Sequence, residues 1–363
     1  QGEHAAPVYA GIAHGDARPP RSSLAAFHVV MLYFGKCALL RCMAQLASLA
    51  RRKARYHPAC GMKPNKARFP MSDFHGIFPY LVSPIDASTG RVRERVLRDL
   101  VEHLITSGVH GLSPLGSTGE FAYLSFEQRK EIVRIVVDAA AGRVPVLAGV
   151  AAFATSDAIR QAEAHARLGA NGMILILQQM FPVPARGIES YFSAIARALP
   201  QTSMTLYTNP GLLGGDIAMD VLDALSHIPN IEYVKDASGN TGRILSMLNR
   251  MGERIKVFSA SAHIPLLVLK LGGVGWMAGP GCVMPRECVR LYDLASAGKW
   301  EEAIAEQRRQ WAINEVFARY ALAACIKTAL QLQGFDVGDA IAPQEALKPE
   351  AVEDIRRALA QLK

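Results

Sequence analysis

From residue 76 to residue 297 the chain alternates short apolar, β-rich runs with amphipathic segments of about a dozen residues or more, and this rhythm restricts it to an α/β fold with parallel strands. Eight runs have strand character: Gly76–Ser83, Val109–Pro114, Val144–Val150, Gly172–Leu177, Met204–Thr208, Ile231–Lys235, Lys256–Ser259 and Val274–Ala278. Between them, Arg91–Thr106, Phe126–Ala141, Ser156–Leu168, Ile188–Leu199 and Ile217–Ser226 read as helices with one apolar face. Ser125 and Gln128 have capping-box spacing, and Pro285 suits the first turn of a helix, where its missing N–H costs nothing. Eight strand–helix units predict a (β/α)8 TIM barrel, whose usual length is about 250 residues. A doubly wound open sheet would favour a glycine-rich turn after the first strand, and Ser83-Pro84-Ile85-Asp86 is not one. Beyond Ala297 the pattern is helical throughout, over Trp300–Tyr320, Ala321–Gln333 and Pro349–Leu362.

Charge divides the chain unevenly. Residues 1–70 hold 11 Lys and Arg against Glu3 and Asp16, a net +9, while the remainder is close to neutral at −1. A near-neutral body argues against nucleic-acid binding, which needs clustered basic charge. Leu24–Ala50 is interrupted by Lys36 and Arg41, so no run is long enough to cross a bilayer. The first seventy residues lack a clean charged helical face, and Met71 stands just before the first strand. They are expected to lie upstream of the functional protein; an anionic-membrane or nucleic-acid anchor is the competing reading. The expected organisation is a basic extension over 1–70, a barrel over 71–297 and a C-terminal helical extension over 298–363. A small-molecule partner fits the neutral body.

In a parallel barrel the chemistry sits at the carboxyl ends of the strands. The second run leads into Gly116-Ser117-Thr118-Gly119-Glu120, a tight loop exposing N–H groups and hydroxyls together, suited to a carboxylate or phosphate unless it is only a turn. The fifth ends in Tyr207-Thr208-Asn209-Pro210, whose phenol either relays protons or caps the core. The sixth ends in Lys235, followed by Asp236-Ala237-Ser238-Gly239. An amine that attacks a carbonyl near neutral pH must have its pKa brought down from about 10.4, and burial does that. Alternatively Lys235 pairs with Asp236 or reaches solvent. Six cysteines without paired metal spacing, and no His-x-x-x-His pair, point to no metal.

In order and spacing these motifs, with Gly272-Gly273-Val274-Gly275, resemble the dihydrodipicolinate synthase and N-acetylneuraminate lyase family of class I aldolases and lyases. The resemblance runs from about Gly76 into the C-terminal helices and covers none of residues 1–70. It implies a cytoplasmic homo-oligomer, a tetramer or dimer, that joins a lysine to the keto carbon of pyruvate or a related 2-oxo acid as a Schiff base and needs no cofactor. Lys235 would be the nucleophile and Tyr207 the proton relay. Gly116, Ser117 and Thr118 would hold the carboxylate, with Thr118 and Ser117 passing protons.

Departures from the family's pattern bear on substrate. Leu212 stands where dihydrodipicolinate synthases carry a carboxylate-binding arginine. The loop Gln178-Gln179-Met180-Phe181 ends apolar, and Ser259-Ala260-Ser261-Ala262-His263 lacks the acids that sialic acid lyases use for sugar hydroxyls. Met180, Phe181, Leu212, Ser261 and His263 are therefore expected to form a partly apolar distal side. His263 there either assists a proton transfer or only bonds its loop. Cys282 reads as a buried filler. The expectation is a Schiff-base lyase or aldolase other than the lysine-pathway synthase. A 2-oxo acid dehydratase using the same lysine and a catalytically silent binding protein are the alternatives.

Overall fold

The computed structural model describes residues 74–362, with the side chains of Leu212 and Leu213 outside the described set. Residues 1–70 fall outside it, so the expectation for that segment is not met by any structural observation. Among the described residues seven strands form one curled parallel sheet: β1 Gly76–Pro79, β2 Leu147–Ala152, β3 Gly172–Leu177, β4 Ser203–Thr208, β5 Ile231–Asp236, β6 Lys256–Ser259 and β7 Gly275–Ala278. Their order is β1-β7-β6-β5-β4-β3-β2. Runs such as Gly172–Leu177 are buried residue by residue, as continuous apolar sequence in a helix-covered parallel sheet requires.

The two sheet edges, β1 and β2, are joined through the segment expected to be an eighth strand, Val109–Pro114. It makes two single parallel bridges, Tyr80 to Ser113 and Leu112 to Val146. Ser113 N donates to Pro79 O at 3.0 Å and Leu112 N to Pro145 O at 2.9 Å, while Gly149 N donates to Pro114 O at 2.9 Å. All three adjacent chains place a proline here (Pro79, Pro114 and Pro145), and each withholds a ladder donor while still offering its carbonyl. The position in the ring is as expected, but a continuous strand is not.

Local signals hold at helix termini. Ser125 caps helix Phe126–Ala140 reciprocally with Gln128, the Ser125 N–H donating to Gln128 Oε1 at 2.8 Å and the Gln128 N–H to Ser125 Oγ at 3.2 Å. Pro285 opens helix Pro285–Ser296. Helices Trp300–Arg319, Leu322–Leu332 and Pro349–Leu362 follow, the first packing on Pro285–Ser296 and Pro349–Leu362. Among the described residues no helix is long and apolar enough to cross a membrane.

Candidate active site

Side chains alternate along a strand, so β5 turns Lys235 and Asp236 to opposite faces. Asp236 is held on its own side, accepting from Ser238 Oγ at 2.5 Å, Ser238 N at 2.9 Å and Arg243 Nε at 3.2 Å. Lys235 does not pair with it. The lysine is 2% exposed, and its Nζ lies 3.6 Å from the ring centre of Tyr80 and 3.7 Å from that of Tyr207. Burial holds its amine well below the ordinary lysine range.

The two rings meet edge to face, with centres 6.2 Å apart at 84°. Tyr207, beside Lys235 in the β4–β5 register, accepts a hydrogen bond from Asn209 Nδ2 at 2.8 Å. Burial raises the Tyr207 phenol, and hydrogen bonds with Ser117 and Asn209 partly offset that. Tyr80, one residue beyond β1, is fully buried, and its hydroxyl has no hydrogen-bond partner among the described residues. Burial, and then the neighbouring Tyr207, push its phenol well above 10.

The loop after the bridging segment supplies donors. Gly119 N donates to Gly116 O at 3.0 Å and Glu120 N to Ser117 O at 3.1 Å, whereas the N–H groups of Ser117 and Thr118 donate to no backbone carbonyl among the described residues. Two free N–H groups beside two hydroxyls suit a carboxylate. Gly116 stands behind the cavity wall: a Cβ there would come within 2.2 Å of the Tyr80 ring, so this glycine makes room for that ring. Gly279 does the same for Thr118, whose Oγ1 would lie 2.6 Å from an added Cβ. Ser83 Oγ donates to Gly119 O at 2.7 Å, and Glu120, in the left-handed region at φ 52°, ties the loop to the C-terminal part. Its carboxylate lies 2.6 Å from Lys327 Nζ and accepts from Ile341 N at 2.7 Å.

Lys235, Tyr207, Thr118, Ser117, Ser261 and His263 line one cavity of about 430 Å³. Among the described residues its ionisable groups are Lys235, His263 and the phenols of Tyr80, Tyr207 and Tyr320, and no Asp or Glu lines it. The loop bearing Ser261 and His263 is held by Trp276 Nε1 donating to Ala260 O at 3.2 Å and by Gln307 Nε2 donating to His263 O at 2.8 Å. Met180 is elsewhere: with Phe181 it lines a second cavity of about 380 Å³, and each is 76% exposed. Its cavity is shared with Ile188 and Phe192 of the helix after β3 and with residues 214–217, and includes none of the residues around Lys235. Leu212 lies in the short helix Pro210–Leu213, and its side chain falls outside the described set. Cys282 is buried as expected, its Sγ donating to Tyr80 O at 3.2 Å and its thiol pushed up to about 12 by burial, which leaves it inert.

Sequence reasoning missed Tyr80 and the far wall. That wall comes from the C-terminal helices, through Trp311, Asn314, Phe317 and Tyr320. Tyr80 carried a usable signal, being an aromatic hydroxyl at the end of a strand like Tyr207. The wall carried none, because nothing in a helical period says which sheet it will cover.

A desolvated amine at the carboxyl ends of a curled parallel sheet, beside phenols and hydroxyls, defines an α/β enzyme site. Within that class the chain belongs to the dihydrodipicolinate synthetase family, a family of lyases and aldolases whose model matches residues 73–362. It is 31% identical over 291 residues to the 4-hydroxy-tetrahydrodipicolinate synthase of Methanospirillum hungatei, covering 79% of this chain and 99% of that one. It is 32% identical over 280 residues to the synthase of the same name from Methanosphaerula palustris, covering 76% and 95%. Among solved structures it resembles the dihydrodipicolinate synthase of Cyanidioschyzon merolae with lysine bound, with a TM-score of 0.76 at 29% identity over 80% of this chain and 98% of that one. It is also similar to the chloride-inhibited synthase of Acinetobacter baumannii complexed with pyruvate, with a TM-score of 0.75 at 26% identity over 79% and 98%.

Proposed function

We propose that the protein is a class I lyase or aldolase in which Lys235 forms a Schiff base with the keto carbon of pyruvate or a related 2-oxo acid. The observation that carries this reading is a buried amine with no acid in its cavity, facing free N–H groups and hydroxyls. A substrate carboxylate supplies the missing negative charge, and the adjacent ketone is the electrophile that a neutral amine attacks. Lys235 adds to the ketone, the carbinolamine hydroxyl takes up a proton and leaves as water, and the resulting protonated imine accepts the electron pair of a breaking C–H or C–C bond at the neighbouring carbon, giving an enamine as a proton or an aldehyde departs. Tyr207 relays the protons at the departing oxygen, assisted through its contact with Ser117, while Ser117 and Thr118 hold the carboxylate with Gly116 behind them. Carbon–carbon cleavage or formation then proceeds beside the imine. These residues supply the steps without a cofactor.

The architecture in this reading is a (β/α)8 barrel over 71–297, with 109–114 as its eighth position, followed by a helical extension over 298–363 and preceded by a basic segment dispensable for activity. A homo-oligomer, dimer or tetramer, would cover the outward Met180 and Phe181. The setting is cytoplasmic.

The substrate beyond pyruvate is open to a direct test. The similar proteins bear the name 4-hydroxy-tetrahydrodipicolinate synthase, and the case against that activity is made of sequence departures, at Leu212 and in the apolar loop Gln178-Gln179-Met180-Phe181, whose Met180 and Phe181 line another cavity. A dehydratase using the same lysine is the second reading, favoured by the largely apolar far wall. Borohydride reduction with pyruvate should leave an adduct on the Lys235 peptide and none in Lys235→Ala; no adduct with pyruvate or longer 2-oxo acids would leave a binding protein instead. Incubation with pyruvate and a panel of aldehydes, aspartate semialdehyde included, then separates the substrates. Release of pyruvate marks aldol cleavage, and a semialdehyde without pyruvate marks dehydration.

A further inference from the structure

We infer that Tyr80 is a further residue of the reaction centre: its ring and that of Tyr207 form an aromatic cage around the Lys235 nitrogen that stabilises the cationic imine. This rests on the Schiff-base reading above. The geometry is specific, since Nζ stands 3.6 Å and 3.7 Å from the two ring centres, well inside the roughly 6 Å over which a cation is attracted to an aromatic face.

The groups facing the nitrogen leave the rings as its main electrostatic partners. From β4 comes Tyr207, from β6 the apolar Phe258 in register with Lys235, and from the end of β1 Tyr80. The loop after β6 brings His263, the loop 116–120 brings Ser117 and Thr118, and the C-terminal helices bring Asn314 and Tyr320. None is a carboxylate.

Condensation of the neutral amine with a ketone takes up one proton, delivered through the Tyr207 relay, and gives a protonated imine and water, so positive charge appears at the caged nitrogen. An aromatic face binds that charge and gives little to the neutral amine, so it favours the imine over the reactants. The rings also restrain the nitrogen in position, and Gly116 preserves the space the Tyr80 ring occupies. Among the described residues the Tyr80 hydroxyl has no hydrogen-bond partner, while its ring centre lies 3.6 Å from Nζ, so the contact made at the site is the ring's.

The test uses the full chain with phenylalanine and progressively fluorinated phenylalanines at position 80, which keep the ring's volume while draining its face, together with Tyr80→Leu. Trapping with pyruvate and cyanoborohydride is followed against pH by mass of the Lys235 peptide. The wild type comes first: no adduct there means the Schiff-base reading has failed, and with it this inference. Given a wild-type adduct, Tyr80→Phe, which keeps the aromatic face, sets the reference midpoint and yield for the series and should trap more than Tyr80→Leu. Fluorination should lower the yield stepwise, reaching roughly tenfold, and move the midpoint to lower pH, because a poorer face stabilises the ammonium less and the amine deprotonates sooner. Tyr80→Leu should match the most fluorinated ring. Yields and midpoints that ignore fluorination would overturn the cage, as would a Tyr80→Phe that loses as much as Tyr80→Leu.

Discussion

Two lysines of this protein are almost equally buried, Lys235 at 2% and Lys327 at 1% exposure, and they have opposite surroundings. Lys327 has its charge answered: Glu120 lies 2.6 Å away, and Nζ donates a hydrogen bond to the Asp339 carbonyl at 2.8 Å. Burial lowers its pKa, and Glu120 pulls it back. Lys235 has two aromatic faces and no carboxylate, so burial acts on it with no such restoration. The lesson is that burial alone does not make a lysine reactive. Burial without a counter-charge leaves an amine that can serve as a nucleophile, the role proposed for Lys235; burial with one makes a latch, here joining the 116–120 loop to the C-terminal part.

The sharpest break of this comparison is to remove each amine. Lys235→Met should reduce activity and trapped adduct to background while the fold persists. Lys327→Met leaves Glu120 buried without its cation, and unpairing a buried ion pair costs about 3–5 kcal/mol. Urea denaturation should show that loss, and the remaining folded fraction should still trap pyruvate. If Lys327→Met kept full stability, the latch would be wrong. Next in size, Tyr207→Phe keeps the ring over Nζ and removes only the hydroxyl proposed as the relay, so kcat should fall by roughly 10²-fold or more with imine trapping less affected. Gly116→Ala forces a methyl into the Tyr80 ring and should destabilise by about 1–3 kcal/mol, read in thermal melts, with reduced trapping because that ring contacts the amine.

The smallest effect concerns pH. With its folded pKa depressed, Lys235 binds fewer protons in the folded than in the unfolded chain, so it opposes folding below the unfolded value of about 10.4, and stability rises as pH climbs from the depressed folded pKa towards it. Lys235→Met should therefore be more stable than wild type near neutral pH by about 0.5–2 kcal/mol, a gap that narrows as pH approaches 10. A gap that widened with pH would contradict a depressed amine.

What could be read without coordinates follows from local rules. Lys235, Tyr207, Ser117 and Thr118 were legible because each stands at the end of a strand or in the loop after one, and parallel topology gathers those ends. Ser261 and His263 were legible for the same reason. Met180 was read as part of the same pocket from the same kind of position, yet it turns outward, since a loop's direction depends on what it packs against. The 109–114 segment was placed correctly along the chain, but its continuity depended on prolines in two neighbouring chains, a relation that appears only when those chains become neighbours.

The sequence by itself determined the parallel α/β rhythm, the helix caps and the order of the motifs, because periodicity and capping act over a few residues. Tertiary structure alone decided the chemical character of the two lysines. Each of their partners is distant in the chain: Tyr80 and Tyr207 for one, Glu120 for the other. A pKa follows from the charges and solvent around a group, and those exist only once the sheet has curled and the C-terminal helices have packed.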